Sequence, residues 1–241
     1  MKKIVFFVIL TAAMTSSIVF AQAEAQKPWS YTLGLSYIGN SGNTDNQTFG
    51  TDFTFKRIPE PWGIEGGVSW MRGEQNDEKT AERITAAIKG IRKLNDRWDW
   101  FLSVNWEKDE FAGYDSRLTL ATGATFKAVA TSKDELLFDM GLSWTNEDYV
   151  AGDDYDYMGG LLQMRYTHNW TPTAKFQQRL LYVPNFDDGS RWRGESETAV
   201  VAALTSKLAM KASVFVRYNH EPPMDFKTTD TTTALSLVYT F

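Results

Sequence analysis

The chain has no cysteine and only two histidines in 241 residues. No disulfide framework can staple it, no Cys lipid anchor can hold it, and no Cys/His metal set is available. Past the first two dozen residues no apolar run approaches the ~20 residues a spanning helix needs. There is no glycine-rich phosphate loop and no nucleophile motif. Basic charge is also short: the net charge is -5, which argues against nucleic acid as a partner. These absences predict no cofactor, no enzyme activity and no bundle of membrane helices.

What is present begins with a secretory leader. Lys2 and Lys3 precede a mostly apolar stretch from Ile4 to Phe20, and Ala21-Gln22-Ala23 offers a small-x-small cleavage site, after Ala21 or Ala23. Residues 1–23 are therefore read as a signal peptide and 24–241 as one domain. Aromatics make up 14% of the chain, with 9 Trp. High aromatic content beside modest hydropathy fits strands that are apolar on one face only.

The last stretch shows that alternation most clearly. Leu235, Leu237, Tyr239 and Phe241 fall on one face, with Ala234, Ser236, Val238 and Thr240 on the other. The same period of two recurs in Trp29–Ile38, Gln47–Arg57, Trp62–Arg72, Ala81–Leu94, Trp98–Glu107 and Ser116–Val129. It continues in Glu135–Thr145, Tyr157–Trp170, Lys175–Val183, Arg191–Leu204, Leu208–Asn219 and Lys227–Phe241. Ala81–Leu94 has enough small residues to suit a helix as well. A dozen such segments, each long enough for a tilted span, predict an all-β, up-and-down transmembrane antiparallel β-barrel of about 12 strands.

Short turns such as Pro59-Glu60-Pro61 and Asn95-Asp96-Arg97 alternate with longer links such as Lys108–Asp115, Asn146–Asp156 and His220–Phe226. With the N-terminus in the periplasm, every short turn falls on the periplasmic side and every longer loop outside. Rings gather at both ends, Trp29, Trp62, Trp98 and Trp170 at one and Tyr37, Trp70, Trp106 and Trp144 at the other, as belts at two membrane interfaces would.

If the apolar faces meet lipid, the alternating charges face a lumen. The inward cations are Lys56, Arg83, Lys89, Lys93, Arg117, Lys127, Arg165, Lys175, Arg179, Arg193, Lys211 and Arg217. The inward carboxylates are Asp52, Glu65, Asp99, Glu107, Glu135, Asp139, Glu195 and Glu197. Such a set lines either a wet, anion-leaning channel or a lattice of ion pairs that plugs the bore. The outer loops are acidic: Asp109, Glu110 and Asp115 in one, Glu147, Asp148, Asp153, Asp154 and Asp156 in another, Asp187 and Asp188 in a third. Asp153, Asp154 and Asp156 are weak candidates for a divalent cation, although no EF-hand pattern is present. A lipid-modifying enzyme would need His220 to meet a hydroxyl such as Ser190 or Ser143.

The opening strand pair, Gly34-Leu35-Ser36-Tyr37 through Ser41-Gly42-Asn43-Thr44 to Phe49-Gly50, resembles the YdiY-like salt-induced outer membrane protein family. The terminal Tyr239-Thr240-Phe241 resembles the closing strand of outer-membrane proteins in general. The resemblance implies a monomeric barrel in the outer membrane of a Gram-negative bacterium. Its neighbours would be lipid and lipopolysaccharide, and the barrel assembly machinery would recognise the strand ending in Phe241. It implies a link to salt or acid stress and carries over no site residues. The residue pattern itself is read as a small-solute, anion-leaning channel or an osmotic-stress envelope protein, with a plugged structural barrel or a lipid-modifying enzyme as alternatives.

Overall fold

The computed structural model describes residues 29–40, 46–223 and 226–241. Residues 1–23, expected as a signal peptide, and residues 41–45, expected as an outer link, lie outside them. All twelve expected strands form. They are β1 (Trp29–Asn40), β2 (Asn46–Arg57), β3 (Trp62–Gln75), β4 (Glu78–Lys93), β5 (Trp98–Asp109) and β6 (Tyr114–Ala130), then β7 (Asp134–Tyr149), β8 (Tyr155–Thr171), β9 (Ala174–Val183), β10 (Arg193–Ala203), β11 (Leu208–Asn219) and β12 (Thr229–Thr240). Each pairs antiparallel with its sequence neighbours, and β12 pairs with β1 to close the barrel.

The alternation sets the faces. On β5, Trp98, Trp100 and Leu102 point outward and are 36–51% exposed, while Asp99 and Ser103 point into the bore and are 4% and 7% exposed. The ambiguous segment is a strand: β4 pairs with β3, and the inward hydroxyls of Ser69 and Thr85 meet at 2.6 Å on the Ser69↔Thr85 pair. Ladder bonds to both neighbours outweigh the helical preference of its small residues.

The links depart from expectation at one rim. Between β3 and β4 there is only Asn76-Asp77, both with φ positive (52° and 65°), a two-residue hairpin turn. Strands also run further than the alternation indicates, so that Asn146–Tyr149 belongs to β7 and not to a loop. The rim bearing the links after β2, β4, β6, β8 and β10 is called the turn rim below, and its opposite the loop rim.

The closing seam is the shortest ladder. β1 and β12 share five register pairs, Thr32↔Thr240 to Ser36↔Ser236, where other neighbours share nine to fifteen. Tyr31 and Phe241 extend it by exchanging backbone bonds of 3.3 and 3.1 Å. Beyond Ser36, β1 stays paired to β2 and β12 to β11, but not to each other.

Candidate functional site: the charged bore

Most of the charges at inward positions of the alternation meet opposite charges, many of them from other strands. Towards the loop rim a chain of ion pairs crosses the bore. Arg193 lies 3.7 Å from Glu147, and Glu147 lies 2.8 Å from Arg117. Arg117 also holds Glu107 (2.6 Å), and Glu107 holds Arg83 (2.7 Å). Arg83 is 4.0 Å from Asp109, which Arg217 grips at 2.7 Å. The chain ends at Asp230, 3.7 Å from Arg217. Arg193 also donates to the Thr119 hydroxyl across the bore (2.7 Å), and Arg117 lies over the Tyr114 ring at 3.6 Å.

Lower down, Arg179 pairs with Glu195 (2.9 Å) and approaches Glu197 (3.7 Å), which Lys211 holds at 2.7 Å. Arg83 and Arg179 both lie near the ring of Phe215, at 5.4 and 5.6 Å. Nearer the turn rim, Lys89 and Arg165 share Asp139 (2.8 and 3.2 Å) and Glu65 (3.8 and 3.2 Å). Asp139 also accepts from the Thr125 hydroxyl, and Lys127 pairs with Asp99 at 2.9 Å. Lys93 reaches Asp96 at 3.2 Å. Lys56 and Lys175 have no carboxylate within 4.0 Å among the described residues. A guanidinium or carboxylate removed from water needs partners of this kind, since an unpaired buried charge costs several kcal/mol.

Two cavities remain between these networks. One of about 480 Å³ is bordered by Arg83, Arg179, Lys211, Asp52, Glu195 and Phe215, among others. The other, of about 180 Å³, lies beside Lys89, Glu65, Asp139 and Phe101. Between them sits a dry patch that the alternation does not announce: Phe101, Ala121 and Leu161 are buried inside the bore and packed with Leu181. The available signal was local. Phe101 stands at an inward position between the outward Trp100 and Leu102, so an unbroken Trp-Phe-Leu run interrupts the pattern.

Two expectations are corrected. Asp109 and Glu147, read as solvated loop acids, are buried in the bore at 4% and 6% exposure, because β5 and β7 carry them inward before the chain turns. Adding these and Asp230 to the eight expected inward carboxylates makes eleven against twelve cations, so the basic excess nearly disappears. A lid also appears. After Asp109 one 3-10 turn, Glu110–Ala112, is tied back by Ala112 N–H donating to the Asp109 carboxylate at 3.1 Å. Gly113 follows with φ 90°, and Pro223 and Phe226 of the β11–β12 link close to within 2.8–2.9 Å of where a Cβ would stand, so only glycine fits.

The other candidates lie apart from the bore. Asp153, Asp154 and Asp156 are exposed, and Asp156 accepts from Trp144 Nε1 at 3.4 Å. Among the described residues no three of His, Cys, Asp or Glu come together as a metal site. His168 bonds Asp134 at 2.7 Å at the turn rim. His220 stacks on Trp192 (5.4 Å) and meets the Tyr218 hydroxyl at 3.0 Å. Ser190 Oγ donates to Asp188 and Ser143 Oγ to the Gly160 carbonyl, so both hydroxyls are engaged away from His220.

Known proteins share this architecture. The chain is 27% identical to the uncharacterized protein YdiY of Escherichia coli (strain K12) over 239 residues, 97% of this chain and 92% of that one. It is similar in fold to an outer membrane channel from Pseudomonas putida F1, with TM-score 0.53 and 10% identity over 93% of this chain and 100% of that one. It is likewise similar to the translocator domain of the autotransporter NalP from Neisseria meningitidis, with TM-score 0.51 and 11% identity over 91% and 90% of the two chains. At such identities the likeness is one of fold. Residues 33–241 match a family described as a protein of unknown function, DUF481, and the chain belongs to that family.

Proposed function

We propose that this protein is an outer-membrane barrel that its own side chains plug, serving the bacterial envelope as a closed wall element at rest. The outward face supports the membrane setting. Leu33, Leu35, Val68, Leu102, Leu142 and Leu162 are exposed around a closed barrel, with Trp29, Trp62 and Trp170 at the turn rim and Tyr37, Phe49 and Tyr182 towards the loop rim. A continuous apolar band of this kind is stable against acyl chains and unstable in water. In this setting Phe241 is the mark for the assembly machinery, and lipid and lipopolysaccharide are the surroundings of a monomer.

The observation that carries the plug is the Arg217–Asp109 ion pair beneath the Glu110–Gly113 lid. A second reading, a narrow anion-leaning passage for small solutes, draws on the 480 Å³ cavity and on the unpaired Lys56 and Lys175 near the turn rim. Planar-bilayer recording of the purified protein under a salt gradient decides between them. The plug predicts no current steps; regular steps with anion selectivity would replace it with the passage.

A further inference from the structure

Arg57 and Arg92 stand apart from the other arginines. Both occupy outward positions at the turn rim, in register with tryptophans of the neighbouring strand: Trp29↔Arg57 and Trp62↔Arg92. Each guanidinium lies over its tryptophan, 5.9 Å from the Trp29 ring and 5.2 Å from the Trp62 ring. Both arginines are exposed, and neither has a carboxylate within 4.0 Å among the described residues. Arg72 at the loop rim is the contrast: it also points outward, but Glu74 holds its Nε at 2.7 Å.

The two arginines are on β2 and β4, Arg57 level with Ile64 of β3 and Arg92 level with Trp62, so their backbones are about 12 Å apart. Long side chains can converge over that distance on one group. Beside Arg92 the wall is notched at Gly90, which also faces outward. A Cβ there would meet nothing nearer than the Leu102 carbonyl at 3.9 Å, and Ile64 lies opposite in register.

We infer that this face of β2–β4 is a binding site for an anionic phospholipid of the inner leaflet, and the inference rests on the outer-membrane reading above. Arg57 and Arg92 contact the anionic headgroup from either side, Trp29 and Trp62 keep the guanidiniums at headgroup level, and an acyl chain runs along the Gly90 notch. The chemistry fits. A guanidinium presents a planar fork of donors to phosphate oxygens, stacks on indole, and is more weakly hydrated than an ammonium.

The test inserts the protein into bilayers of equal parts phosphatidylglycerol and phosphatidylcholine and counts the retained lipids by native mass spectrometry. Wild type is expected to retain phosphatidylglycerol preferentially. R57A/R92A, checked for folding by its heat-modifiable gel migration, should lose that preference about thirtyfold, while R57K/R92K should keep part of it. Equal retention by wild type and R57A/R92A overturns the site. So does displacement of the lipid by millimolar inorganic phosphate, which would indicate a free-anion site. Failure of wild type to enter bilayers sinks the membrane reading itself; entry without lipid preference sinks only this site.

Discussion

Arg217 on β11 and Asp109 on β5 meet at 2.7 Å although their strands lie six places apart in a ring of twelve, on opposite sides of the barrel. A bore that one side-chain pair can bridge leaves little room for solute at that level. Removing both partners removes the bridge without stranding either charge. R217A/D109A is expected to show current steps in planar bilayers where wild type shows none. Silent recordings from the double variant, which also loses the Asp109 tie to the 3-10 turn, would mean that the lower network alone closes the bore.

Glu107 is shared between Arg83 and Arg117. E107Q deprives both buried guanidiniums of a charge and should cost about 3–5 kcal/mol. E82Q, which breaks the exposed Lys79–Glu82 pair, should leave stability close to that of wild type, because solvent screens the pair. Urea unfolding from lipid vesicles measures both. Equal costs would show that the Glu107 site is hydrated.

Phe101 and Leu102 are sequence neighbours on opposite faces. F101A opens the dry patch inside the bore and should destabilise by about 3–5 kcal/mol. L102R places a cation on the outward face and should cost about 2–4 kcal/mol in a bilayer if it lies near the midplane. The same unfolding assay reads both, and a harmless L102R would contradict the lipid-facing assignment of β5.

The seam between β1 and β12 is the weakest line in the wall. Hydrogen exchange should be fastest at those N–H groups of Thr229–Ala234 that point away from β11, because β1 gives them no ladder partner. Protection equal to that of Ala209–Val214 on β11 would show that the seam closes along its full length in solution.

In the β9–β10 link, the Ser190 hydroxyl and backbone N–H both donate to Asp188 and hold its carboxyl below the ordinary range. A depressed carboxylate pKa contributes to loop order above the unfolded value of about 4, and the contribution fades as pH falls through the folded value. S190A should move the Asp188 titration, followed by NMR, up towards the ordinary value. An unmoved titration would place the cause elsewhere, in Arg191 for instance.

Period-two patterning was enough to find all twelve strands, because a strand's two faces are encoded locally by every second residue. It also set Lys89, Arg165 and Glu65 at inward positions, and these three meet in ion pairs. It left Phe101 unassigned, since apolar residues on both faces, as in Trp100-Phe101-Leu102, break the alternation by which faces are told apart. It misplaced Asp109 and Glu147 because polar strand ends read as loops, and only pairing with a neighbour marks where a strand stops.

The linear chain by itself determined the number of strands, the two faces of each and the antiparallel order, all of which follow from nearest-neighbour alternation and short links. Which charges meet was decided only by the closed barrel. Lys89 and Asp139 are 50 residues apart, Glu65 and Arg165 are 100, and Asp109 and Arg217 are 108. Alternation says which way a side chain points, while the curvature and stagger of the wall set what stands opposite it.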